Sequence, residues 1–130
     1  MEKEVKALLL DSHRSIEEAA SYAIEEIKKG QITIMYPSHV RLTSEEQKAL
    51  FKHKNDQTLL IALKKIIVDA ASYPVFHLFE LMDGVTDPQN YDEYWSGVKF
   101  ISRSEEDEED FDLHDEFFAT YDEWKNQSHP

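Results

Sequence analysis

Cysteine is absent from the 130 residues, and disulfides, thiolate metal sites and cysteine nucleophiles are excluded with it. Glycine occurs only at positions 30, 84 and 97, too sparsely for a glycine-rich phosphate loop, and no serine sits in a G-x-S-x-G elbow. Positive charge is scarce. Lysine and arginine number 14 against 27 acids, a net charge of −13 that repels nucleic acid and anionic membrane. Asp69 and Glu80 interrupt the longest apolar segment, Gln57–Asp83, which argues against a membrane span. The charged start, MEKEVKALLLDSH, does not read as a secretory signal. These absences together predict a soluble, cytoplasmic protein.

The deficit of bases is uneven. Residues 1–103 hold 16 acids and 13 bases, whereas residues 104–130 hold 11 acids and the single base Lys125. A near-neutral body is followed by a strongly acidic C-terminal quarter. Such a field attracts basic protein surfaces or cations.

What is present is organised around Gln57–Asp83. Helical spacing puts Lys65, Asp69, Ser72, Glu80 and Asp83 on one narrow stripe. Leu59, Leu60, Leu63, Ile66, Ile67, Ala70 and Ala71 occupy most of the remainder. A helix apolar over most of its circumference is expected to be central, with neighbours on several sides. The stripe keeps its phase across Pro74, which favours one kinked helix over a break near Ser72.

The rest of the chain supplies elements to surround it. Glu2 to Lys29 is helical in pattern. Ser15 and Glu18 have capping-box spacing that allows a break near Asp11–Ser12, and Gly30 is the stop. Gln31–Tyr36 alternates as a short strand. A helix then enters through Thr43 or Ser44 and ends in a basic cluster, Lys48, Lys52, His53 and Lys54. That cluster reads as a solvated helix end, or else as a partner for the acidic tail. Asn55–Asp56 is the turn or N-cap that opens the central helix. Asp83 to Gly97 is a loop carrying Tyr91, Tyr94 and Trp95, either a binding patch or a lid folded onto the core. Gly97–Ser102 alternates as a strand that would pair with Ile32–Tyr36. An acidic loop over about 104–111 precedes a helix carrying Leu113, Phe117, Tyr121 and Trp124, N-capped by Asp112, and residues 126–130 form a frayed tail. The expected fold is mainly α: one domain over residues 1–130, helices around a central apolar helix, and a minor two-stranded β element.

Catalytic constellations are thin. His77 and Glu80 stand three apart, with Asp83, Asp87 and His114 as further donors for zinc, iron or manganese. One H-x-x-E in so acidic a chain is weakly specific, and a packed His77 bonded to a carbonyl is the preferred reading. No EF-hand loop is present. The reading therefore assigns no cofactor, no metal and no catalytic residue. His77, Glu80 and His114 are kept as weak metal candidates.

FHLFELMDGVTDP, followed by WSGVKFI and LHDEFFATYDEW, resembles a group of small, acidic, uncharacterised bacterial proteins. The likeness spans Tyr73 to Lys125. It implies a bacterial source and carries no activity and no functional residue. The function expected from the residues is that of a non-catalytic acidic protein-binding module, of the immunity or inhibitor type, directed at a basic partner. Glu105, Glu106, Asp107, Glu108, Glu109 and Asp110 would attract that partner, and Tyr91, Tyr94, Trp95 and Trp124 would anchor it. A structural homodimer is the second reading, and a metal-dependent enzyme using His77, Glu80 and His114 the third.

Overall fold

A computed structural model describes residues 3–37 and 39–99, together with Asn126. The described helices are α1, Lys3–Lys29; α2, Ser44–Phe51; and α3, Gln57–Asp83. By compactness the chain divides into Met1–Ile32 with Ser44–Phe100, which holds α1 to α3, and Thr33–Thr43 with Ile101–Pro130.

α1 is one helix, without the break allowed near Asp11–Ser12. The Ser12 hydroxyl donates to the Leu8 carbonyl one turn back (2.9 Å) instead of capping a new helix. Arg14 then ties the two halves together, reaching Asp11 at 2.8 Å and Glu18 at 2.6 Å. These bonds raise the guanidinium pKa, Glu18 contributing most and Asp11 next. At the end, Gly30 adopts φ +71. Its N–H donates to Ile27 O, and Gln31 N–H donates to Glu26 O, closing the last turn as a Schellman motif.

α3 opens as its sequence suggests. The Asp56 carboxylate accepts the Leu59 N–H at 3.0 Å, and its backbone carbonyl accepts the first intrahelical bond from Leu60. The helix continues through Pro74 without a break, and the Ser72 hydroxyl donates to the Asp69 carbonyl at 2.6 Å. Gly84, at φ +72, ends it with a second Schellman pair: Gly84 N–H to Leu81 O and Val85 N–H to Glu80 O.

α1 and α3 pack antiparallel, for Ile24 and Ile27 meet Leu60 near the start of α3, and Glu17 reaches Lys64 one turn further along. The core sits at this end. Ala20 (0 % exposed), Ile24, Ile27 and Leu60 (2 %) are buried, and Ile32, Leu50, Leu63 and Ile67 pack around them. Burying a leucine side chain fully contributes roughly 1.5–3 kcal/mol, so Leu60 is the main stabilising contact that α3 supplies.

Two expectations are corrected. Among the described residues α3 is not surrounded: Leu60 is its one buried position, whereas Ile66 (63 % exposed), Tyr73 (65 %) and Phe76 (62 %) face outward. The reason is stoichiometric: among the described helices α1 is the one that packs on α3, and one neighbour covers one face. Nor is there a two-stranded β element among the described residues. Thr33–Thr43 has no ladder; its turn contains a cis Tyr36–Pro37 bond and a Val40 N–H to Pro37 O bond. At the other intended strand, Val98 N–H donates to Met82 O at 2.9 Å, a helix-end carbonyl rather than a strand. Residues 100–102 of that segment lie outside the described residues.

Candidate functional site

The loop from Gly84 to Val98 is the most constrained non-helical feature of its unit. The last carbonyls of a helix lack intrahelical donors, and this loop supplies them. Glu80 O takes Val85 N–H, Leu81 O takes Gly84 N–H and the Trp95 indole N–H (2.7 Å), and Met82 O takes Val98 N–H. Trp95 is thereby half-buried and tied to α3. The loop ends cross at Gly84 and Gly97, both at positive φ. A Cβ on Gly84 would lie 2.7 Å from Ser96 O, and one on Gly97 would collide with the Met82 carbonyl oxygen. Glycine is required at both because backbone meets backbone there.

Between its pinned ends the loop turns outward. Tyr91 stands edge-on to Trp95, with ring centroids 5.8 Å apart and planes at 82°, and its hydroxyl donates to Glu93 at 3.3 Å. Tyr94 is 91 % exposed. The two sequence readings thus divide between residues: Trp95 folds down as part of a lid, and Tyr94 is displayed. Asp87, Asp92 and Glu93 of the same loop are exposed. No lysine or arginine occurs from Ile66 to Val98, a stretch that holds six acids.

Other predicted residues are not gathered into a site. His77 Nδ1 lies 3.5 Å from Glu80 Oε2, with the imidazole 57 % exposed. This corrects the packed, carbonyl-bonded His77, since its neighbour is a carboxylate at the surface. Among the described residues no three His, Asp or Glu side chains are arranged to hold a metal. Asp83 and Asp87 are exposed. Lys48, Lys52, His53 and Lys54 are exposed where α2 runs into the turn before α3. His114, Trp124 and the acidic run Glu105 to Asp110 lie outside the described residues. The grooves between α1 and α3, one bounded by Glu25, Lys28 and Gln57 and the other by Glu17, Lys65 and Asp69, are open and shallow. Neither brings a nucleophile to a base.

Sequence reasoning missed two features. The glycine crossing was signalled by two of the chain's three glycines bracketing one loop. The outward apolar face of α3 was signalled by Leu59, Ile66 and Tyr73 at heptad spacing, a second stripe beside that of Leu60 and Ile67. No described helix is long and apolar enough to cross a membrane. Comparisons with protein-family models, curated proteins and solved structures found no match to this chain.

Proposed function

We propose that this chain is a non-catalytic protein-binding module that captures a basic protein surface, in the manner of an immunity or inhibitor protein. The observation that carries the reading is the pinned loop. It displays Tyr94 on a stretch, Ile66 to Val98, that holds six acids and no lysine or arginine, with the backbone held by the carbonyls of α3. A rigid aromatic loses little entropy on contact, and surrounding carboxylates steer a cationic partner toward it. The acidic run Glu105 to Asp110 extends the same sign of charge in sequence. The resemblance to small acidic bacterial proteins is compatible with this role and adds no residue to it.

The test is association with a panel of purified basic nucleases at low and high salt. Gln in place of Glu106, Glu108 and Glu109 should slow association at low salt, and the deficit should shrink as salt is added. Tyr94→Ala should speed dissociation instead. A wild-type chain that captures none of the basic proteins at low salt would sink the reading. A structural homodimer is the second reading, and the outward face of α3 favours it.

A further inference from the structure

We infer that α3 packs antiparallel against α3 of a second copy of this chain, through the face that α1 leaves uncovered. Leu59, Ala62, Ile66, Ala70, Tyr73 and Phe76 form that face, all exposed, at spacings of three and four over about 25 Å. An exposed, continuous apolar stripe of this length marks an association surface.

Charge selects the occupant and its direction. The turn before α3 carries Lys52, His53 and Lys54, and its first half carries Lys64 and Lys65. Its second half and the following loop carry Glu80, Asp83 and Asp87 without a lysine or arginine. This order opposes the helix dipole, which favours acids at the start and bases at the end; the first turn of α3 has no acid and the last no base. Capping accounts for Asp56, which closes the first turn of α3, and leaves the rest of the pattern unexplained. An antiparallel second copy offsets it, because the basic start of each α3 then lies beside the acidic end of the other. A parallel copy would set like charge against like.

The side chains fit the same register. Setting Leu59 opposite the partner's Phe76 puts Ala62 opposite Tyr73 and brings Ile66 to the level of Asp69 and Ala70, so a large residue meets a small one in the Ala62–Tyr73 layer. Lys65 and Asp69 fall on one flank and reach across to each other's counterparts. The two-fold makes every contact occur twice, as an isologous dimer requires.

The experiment uses the full chain and needs no basic partner, so its outcome is separate from that of the proposed function. Sedimentation equilibrium should show a dimer at micromolar concentration. Ile66→Glu should weaken it by at least about thirtyfold, as loss of an interface hot spot does, with helical circular dichroism unchanged because the site is exposed in one copy. Orientation is read by disulfide capture, which the cysteine-free background keeps clean. A mixture of L59C and F76C chains should form the mixed disulfide faster than either forms its own. A monomer at every concentration, a dimer indifferent to Ile66→Glu, or preferred L59C–L59C capture would each overturn the inference. So would a monomer whose melting temperature falls sharply with Ile66→Glu, because the chain's own residues would then be covering the face.

Discussion

The two long faces of α3 are built from the same kinds of residue and meet different surroundings. Leu60, Leu63, Ile67 and Ala71 turn toward α1, whereas Leu59, Ala62, Ile66 and Ala70 turn away. Burial differs sharply: Leu60 is closed off and Ile66 is mostly open. Apolarity in a sequence records that a surface avoids water. It does not record whether the surface that covers it belongs to the same chain. The comparison makes α3 a shared wall, one side holding the fold and the other available to a partner.

The strongest way to break that comparison is to truncate both faces. Leu60→Ala should cost about 2–5 kcal/mol in denaturant unfolding, the range for a buried leucine. Ile66→Ala, measured on chain dilute enough to be monomeric, should cost about 0.5 kcal/mol or less, as surface substitutions do. Equal costs would mean that the outer face is buried within one chain, and the distinction would be lost.

What was legible beforehand follows the range of the interaction involved. Helix ends were read correctly at Gly30 and Asp56 because capping is chemistry between residues a few positions apart. The continuity of α3 through Pro74 was legible too, from the phase of its polar stripe. The unbroken α1 was not, since Ser15 and Glu18 matched a capping pattern while Ser12 and Arg14 already satisfied the turn locally. The β element failed for another reason. Alternation in Gly97–Ser102 describes a side-chain pattern, and the Val98 N–H found its acceptor at the end of a helix. The position of the core depended on how many neighbours α3 has, which no window of sequence contains. At the site, Tyr91, Tyr94 and Trp95 were named as a group, but which ring folds inward was decided by a carbonyl fourteen residues away from Trp95.

A smaller effect is expected where backbone, rather than side chains, sets the boundary of the two faces. Gly97→Ala should destabilise by about 1–3 kcal/mol, since the new Cβ adds a collision with the Met82 carbonyl to the strain of positive φ. Gly30→Ala meets open space and carries the conformational cost alone, about 1 kcal/mol. Near-ultraviolet circular dichroism or tryptophan fluorescence of the pair, followed through unfolding, sharpens the point: Gly97→Ala should disturb the Trp95 environment, and Gly30→Ala should not. A Gly97→Ala chain as stable as Gly30→Ala would mean that the loop can leave α3 at little cost.

The smallest effect separates two adjacent lysines, and it tests the faces by charge instead of apolar burial. Lys64 lies on the inner side, where its Nζ is 3.7 Å from Glu17 of α1. Lys65 is exposed at the rim of the open groove that Glu17 also lines, and no ion pair joins it to another described residue. The Lys64 pair is solvent-exposed, so Lys64→Gln should cost the dilute chain only about 0.5 kcal/mol, and less at high salt. Lys65→Gln should leave the stability of the dilute chain unchanged. In concentrated solution at low salt the order should reverse: Lys65→Gln should weaken self-association, because Lys65 faces the second copy's Asp69 across the flank, and Lys64→Gln should not. Unfolding and sedimentation measured on the same two variants therefore give opposite rankings if α3 has one face for its own chain and one for another. The same ranking in both measurements would show that the two lysines occupy equivalent surroundings, and that the division of α3 into two faces is wrong.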